Sequence, residues 1–277
     1  MEPLSISWSS LQAHEFCKQQ GMLFRTGHRN PSKDVRPFFH GTVADRIMRA
    51  WLMEPEQTPG AMITMVDDFI VSCEKESLET GDGVVRWKSR SDRSELREFC
   101  TELVRRLEPI LRRLVLAYDY EPAKRFTVPV QIPSLTGEPT CIHLRGEMDL
   151  LTRNAQGHWG IWDLKATRNE SYWRKTMAQL VFYDLALSAM FGDYAHMTGL
   201  IQPMCTEQVL GFTISDDDRA QLWSRICRFA TDVWQQDFEP KQGTSGCTYC
   251  PVHHACIKFK PVNGKLPTSL VGNGDLL

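Results

Sequence analysis

Gly146-Glu147-Met148-Asp149-Leu150-Leu151, a short polar loop, and then Gly160-Ile161-Trp162-Asp163-Leu164-Lys165-Ala166-Thr167 form the most informative stretch of this chain. Both runs have strand composition. Residues two apart in a strand point the same way, so Asp163 and Lys165 share one face while Trp162 and Leu164 share the other. A loop centred on Gln156 sets Asp149 directly across from Asp163. Opposed Cβ atoms lie about 4.5 to 5.5 Å apart, and two carboxylates at that range repel unless a proton or a cation stands between them. A hard divalent ion, Mg²⁺ or Mn²⁺, suits two carboxylates, a main-chain carbonyl such as that of Leu164, and water. A solvated cross-strand Asp pair, or Asp163 bridged to Lys165, is the plainer reading of the same spacing.

Outward from this hairpin the pattern is regular. Phe126 to Ile132, Thr140 to Leu151 and His158 to Lys165 read as a three-strand meander, broken at Pro133-Ser134-Leu135-Thr136-Gly137 and at Arg153-Asn154-Ala155-Gln156-Gly157. A helix from Tyr172 to Phe191, strands near His196 to Gln202 and Gln208 to Ile214, and a helix from Asp217 to Asp237 follow. Upstream, Val43, Ile47, Ala50 and Trp51 recur at helical spacing. Leu96, Phe99, Leu103, Leu107, Ile110, Leu111 and Leu114 stripe a helix from Ser94 to Ala117, which Pro109 kinks or divides. This order predicts an α/β fold, a mixed central β-sheet flanked by helices. Gln179 and Tyr183, four apart, share a helical face, where an amide and a phenol can reach a phosphate backbone or base edges. Arg168, Trp173 and Lys175 are candidates for backbone or stacking contacts to nucleic acid.

A chain of 277 residues, 42% hydrophobic, holds one sizeable core or two small ones. A net charge of -2 removes any surface-wide trap for polyanions, so nucleic-acid contact has to be local. Apolar stretches fall far short of the roughly 20 residues of a membrane span, and no basic region followed by an apolar run opens the chain. No Gly-x4-Gly-Lys-Ser/Thr occurs. These features argue against an integral membrane protein, a secreted one and an ATP-driven motor, and predict a cytoplasmic location without membrane partners.

Nine cysteines are too few for a disulfide scaffold of this length. Cys247-Thr248-Tyr249-Cys250 and Cys256 crowd into a loop containing Gly, Pro and His, a metal-binding spacing. Two kinds of fourth ligand are open: His253 or His254, completing a zinc site, or the distant Cys17, completing a four-cysteine iron-sulfur site. Cys73, Cys100, Cys141, Cys205 and Cys227 lie in or beside apolar patterns and read as buried small hydrophobes.

Taken in order, Gly146-x-x-Asp149, Asp163-x-Lys165, Gln179-x3-Tyr183 and Cys17…Cys247-x2-Cys250-x5-Cys256 resemble the PD-(D/E)xK nuclease superfamily. The likeness is to its RecB-like iron-sulfur exonuclease branch, which includes the AddB nuclease domain and the CRISPR-associated and phage RecB-like exonucleases. The resemblance implies a restriction-endonuclease-like core with a 4Fe-4S clasp on Cys17, Cys247, Cys250 and Cys256 joining the N- and C-terminal regions. It implies catalysis by Asp149, Asp163, Lys165, Gln179 and Tyr183, with Mg²⁺ or Mn²⁺ held by Asp149, Asp163 and the Leu164 carbonyl. The family carries Gly-x3-His on the early helix; here Gly41-Thr42-Val43-Ala44-Asp45 puts Asp45 in the histidine's place, as a further oxygen ligand. Lys124 or Arg125 stands where the family has an acidic residue.

One nuclease domain over residues 1–257 is then expected, its iron-sulfur parts at about 1–40 and 240–257, with 258–277 a flexible tail. The implied activity is a metal-dependent DNA exonuclease acting on single strands or duplex ends, in recombination, repair or phage DNA metabolism. An endonuclease working with partners, or a catalytically impaired DNA-binding adaptor, is the alternative. The resemblance leaves room for a homo-oligomer and for recombination or replication partner proteins.

Overall fold

A computed structural model describes residues 3–25, 36–80, 84–169, 171, 173–241, 250, 252 and 256. The tail at 258–277 and the residues Cys247, His253 and His254 lie outside the described residues. Contacts divide the chain into two compact units. The first comprises Met1–Asn30, Phe126–Gly146 and Asp216–Leu277, and the second Pro31–Arg125 and Glu147–Ser215.

In the second unit β3 (Pro139–Arg153) pairs antiparallel with β4 (Trp159–Leu164), β4 pairs parallel with β5 (Met197–Ile201), and β5 pairs antiparallel with β6 (Val209–Phe212). β2 (Asp119–Pro133) also pairs with β3, so the sheet is mixed, as the sequence predicts. Leu150 stands opposite Trp162 and Leu151 opposite Ile161, the register that a loop centred on Gln156 demands. Asn154 sets it locally: its side-chain oxygen accepts from the backbone N–H of Gln156 (3.0 Å) and of His158 (2.9 Å), and Gly157 takes φ +85°. Such an Asx turn fixes strand pairing through the turn residues alone.

Packed with the Trp162 and Leu164 face is a helical layer. α3 (Arg36–Met53), α4 (Pro59–Thr64), α5 (Val66–Glu79) and α6 (Arg90–Ala117) contribute Val43, Ile47, Trp51, Met62, Ile70, Leu103 and Leu107 to one buried cluster with Leu150, Trp162, Leu164 and Ile201. Trp162 lies against Gly199 on β5, where an added Cβ would come within 2.7 Å of the indole, and its Nε1 donates to Thr152 Oγ1 at 2.8 Å. A seventh helix, α7 (Trp173–Phe191), packs on β4 and β5.

Three departures from the sequence expectation have physical causes. α6 is one helix with Pro109 inside it; the leucine stripe buried on both sides of the proline outweighs its missing N–H. β2 begins at Asp119 instead of Phe126, its alternation disguised by Ala123 in a left-handed conformation at φ +50°. α4 and α5 escaped the periodicity reading, although Thr58 as N-cap, accepting from Ala61 N at 3.2 Å, and Pro59 in the first turn are a legible start.

In the first unit β1 (Leu4–Ile6) pairs parallel with the start of β3. α1 (Trp8–Phe16), opened by a Ser7–Ser10 capping box, packs on α2 (Lys18–Arg25) and on α8 (Asp216–Trp234). Buried His14 meets Asp232 at 2.9 Å, and Lys18 reaches Asp232 at 3.0 Å and Asp237 at 2.5 Å. Met22, Leu23, Phe238 and Val252 form a small core, with Cys250 and Cys256 packed on it.

Candidate active site

Strand pairing brings Asp149, Asp163 and Lys165 together. Asp149 Oδ2 accepts from the backbone N–H of Leu164 at 2.9 Å, which ties β3 to the end of β4 one residue beyond Asp163. Asp163 is fully buried. Lys165 Nζ stands 2.8 Å from Asp163 Oδ1 and 2.7 Å from Oδ2, aligned for a hydrogen bond only to Oδ1. Oδ2 is thus buried without a hydrogen bond. The same ammonium lies 3.8 Å from Asp149 Oδ2.

Burial pushes the Asp163 carboxyl up to about 7, with Lys165 opposing and Asp149 adding to the rise. For Lys165 burial works against the charge, but Asp163 and Asp149 outweigh it and hold its pKa above the ordinary lysine value. An ammonium held this firmly orients and neutralises; it is no base in the metal-free arrangement.

Two neighbouring carboxylates, one of them with a buried oxygen that accepts no hydrogen bond, are the donor type that a hard divalent cation takes. The Asp163 shift carries a testable sign. Its folded pKa exceeds the unfolded value of about 3.9, so its contribution to stability is present below that pH and disappears as pH rises through about 7. A cation has to displace the proton below pH 7. Mg²⁺ should therefore raise the melting temperature more at pH 8 than at pH 6, with apparent affinity about tenfold weaker at pH 6. Calorimetric titration of Mg²⁺ at both pH values checks this; equal affinities would contradict it.

Around this centre, Gln179 Nε2 donates to the Tyr183 hydroxyl at 2.8 Å. Tyr183 is buried on α7, its pKa raised mainly by burial and further by Asp149 and Asp163, which places it within electrostatic reach of both carboxylates. On α3, Asp45 is raised by burial, lowered by Arg49 and raised by Asp149. Arg49 Nε lies 2.8 Å from its Oδ2.

The sequence reading missed what Arg49 does next. It also pairs with Glu147, whose second oxygen accepts from Arg125 Nε at 2.7 Å, so Asp45, Arg49, Glu147 and Arg125 form a ladder of alternating charge beside the carboxylates. Two signals were available: Glu147 and Asp149 share a strand face, and Arg49 follows Asp45 by one helical turn.

Of the residues read as nucleic-acid contacts, Arg168 is occupied by Glu102 at 2.7 Å and lies over Phe99. Trp173 is exposed and stacks on Phe212. The Lys175 side chain lies outside the described residues. Cys17, Cys250 and Cys256 all belong to the first unit. Cys17 Sγ accepts from Lys241 N at 3.4 Å, and Cys256 Sγ donates to Gln19 Oε1 at 3.1 Å. Among the described residues no three ligands are arranged to hold a metal ion. Cys73 and Cys100 are buried as expected, whereas Cys141, Cys205 and Cys227 are half-buried. The Cys205 thiol donates to the Thr167 carbonyl at 3.0 Å. No helix among the described residues is long and apolar enough to cross a membrane.

Among solved structures the chain is similar to one described as the crystal structure of SSO0001, at 16% sequence identity and a TM-score of 0.37, covering 69% of this chain and 96% of that one. No curated protein matches it. The sequence model of the PD-(D/E)XK nuclease superfamily, a class of metal-dependent nucleases, matches residues 5–257. A match of that extent, over nearly the whole chain, means that this protein belongs to the PD-(D/E)XK nuclease superfamily.

Proposed function

We propose that the protein is a DNA exonuclease of the RecB-like iron-sulfur branch, hydrolysing phosphodiester bonds of single-stranded DNA or of duplex ends, in recombination, repair or phage DNA metabolism. The observation that carries the reading is Asp163, fully buried, with Lys165 ion-paired to both its oxygens, Oδ2 accepting no hydrogen bond, and the same ammonium 3.8 Å from Asp149.

Asp149, Asp163 and the Leu164 carbonyl would hold Mg²⁺ or Mn²⁺, with Asp45 joining them on exchanging Arg49 for the cation. When bound, the cation polarises the phosphoryl oxygens and lowers the pKa of a coordinated water. The chain's own groups supply the rest. Lys165, kept charged by two carboxylates, orients the attacking water and offsets negative charge as it builds on the phosphate. Gln179 and Tyr183, already hydrogen-bonded to each other, position the strand. Arg168, Trp173 and Lys175, just beyond the catalytic strand, contact backbone or bases; Arg168 has to exchange Glu102 for phosphate to do so.

Cys17, Cys247, Cys250 and Cys256 would hold a 4Fe-4S cluster, a soft all-thiolate donor set suited to iron and sulfide. Cys17, Cys250 and Cys256 belong to one compact unit, as a cluster joining them requires, but do not close on a common centre among the described residues. Its role is structural, fastening the two chain ends.

The deciding experiment is anaerobic purification, with iron and sulfide analysis, and digestion of end-labelled single-stranded DNA with and without Mg²⁺ or Mn²⁺. Metal-dependent release of nucleotides from ends by a brown protein is the expected result. A protein that binds DNA but cuts it with neither metal would sink the exonuclease reading and favour a binding adaptor, for which the engagement of Asp45 by Arg49 is the supporting observation. A colourless zinc protein would remove the cluster.

A further inference from the structure

Arg49 stands between two carboxylates that hold it unequally. Its Nε lies 2.8 Å from Asp45 Oδ2, one turn back along α3, and its Nη1 pairs with Glu147 Oε1 on β3. Glu147 is 18% exposed and is braced from its other oxygen by Arg125 Nε at 2.7 Å, whereas the Asp45 side chain is 42% exposed. Glu147 and Asp149 are two apart on one face of β3, which is about 7 Å along the strand. Arg49 is therefore anchored on the wall of the site that holds Asp149, Asp163 and Lys165. The charges of Asp149 and Lys165 also reach Asp45.

A part-exposed ion pair between residues one helical turn apart is weakly held. Its two members are also what a metal-dependent nuclease has to offer its reactants. A carboxylate oxygen takes a hard divalent cation, and a guanidinium takes phosphate oxygens through its planar fork. A cation and a phosphodiester arriving together replace one contact of opposite charge by two, so the exchange leaves neither Asp45 nor Arg49 unpaired.

We propose that Arg49 is a phosphate ligand of this nuclease, stored against Asp45 in the free protein. Cation and DNA strand open the pair together: Asp45 turns to the cation, and Arg49, still anchored on Glu147, turns to the phosphate. The identity of the anion as a phosphodiester rests on the nuclease reading; the exchangeable pair rests on the contacts of Arg49.

The test separates the two halves in the full-length protein. Mg²⁺ is titrated calorimetrically without DNA, and a fluorescent oligothymidylate is titrated in a chelator, where no cleavage occurs, with anisotropy followed against salt. Arg49→Gln keeps the stem of the side chain and releases Asp45, so Mg²⁺ should bind about fivefold more tightly, the lower end of coupling between linked sites. Asp45→Asn releases Arg49, so the oligonucleotide should bind about fivefold more tightly, with a salt slope greater by about 0.7, the value of one added phosphate contact on a single strand. In the double variant both gains should vanish: Arg49→Gln adds nothing to the Mg²⁺ affinity of Asp45→Asn, and Asp45→Asn adds nothing to the oligonucleotide affinity of Arg49→Gln. Arg97→Gln, which removes a guanidinium paired with Asp67 on the surface of the same unit, should leave both affinities at the parent's values.

Failure of either gain overturns the proposal. So do gains that persist in the double variant or appear in Arg97→Gln, because net charge and not the pair would then be responsible. A parent that binds neither Mg²⁺ nor the oligonucleotide defeats the nuclease reading as well. Metal-dependent cleavage that is intact, with additive effects of the two substitutions on binding, defeats only this inference.

Discussion

Asp163→Asn is expected to lower single-turnover cleavage by about a thousandfold or more, because the several kcal/mol that a correctly held divalent ion contributes to the transition state corresponds to that factor. Asparagine keeps the shape of the side chain and removes one of the two carboxylates on which the cation depends. The fold should survive. Burial already disfavours the ionised carboxyl, and Lys165 retains Asp149 at 3.8 Å. At pH 8, above the Asp163 pKa of about 7, the metal-free variant should melt no lower than the parent, since a neutral amide replaces a carboxylate that is charged at a cost. Mg²⁺ should then leave its melting temperature unchanged. Cleavage within tenfold of the parent would mean that the cation is held elsewhere; collapse of the metal-free variant would mean that Asp163 is structural.

Trp162→Ala should have the largest effect on stability, a loss of about 3 to 5 kcal/mol. The indole is nearly fully buried, lies against Gly199 where no Cβ could fit, and spends its N–H on Thr152. Removal leaves a cavity behind β4 and a buried hydroxyl deprived of its donor. In a unit of this size the change corresponds to roughly 10 °C in melting temperature. Thr152→Val, which removes the hydroxyl that accepts from Trp162 and donates to the Gly160 carbonyl at 3.4 Å, should cost about 1 kcal/mol. If the two substitutions proved equally mild, the tight fit of Trp162 on Gly199 would not be the support of the catalytic strand. Because Trp162 and Asp163 are neighbours pointing to opposite faces of β4, this prediction ties the core directly to the site.

How much of this was legible beforehand depended on the range of the interaction. The β3–β4 register was, because Asn154 and Gly157 fix it within a five-residue loop. The long amphipathic helices were, because each buries a periodic stripe; Leu103, Leu107 and Leu114 announce α6 despite Pro109. β1 was not, since three residues carry no period and the strand exists only by pairing with β3. The placing of Asp149 beside Asp163, and of Gln179 on one helical face with Tyr183, likewise follows from two local periods, 2.0 for a strand and 3.6 for a helix.

Charge state and partnership belonged to the tertiary structure alone. Lys165 could be a base or a fixed cation on the sequence evidence; only the depth of Asp163 and the approach of Asp149 decide that it stays charged. Asp45 as a free oxygen ligand became Asp45 held by Arg49, in a ladder that runs through Glu147 to Arg125. Arg168 was taken by Glu102, 66 residues away in the chain. The reason is physical. Periodicity and turn chemistry act over a few residues and survive in the sequence as pattern, whereas desolvation and ion pairing depend on which distant segments approach, and the sequence states neither.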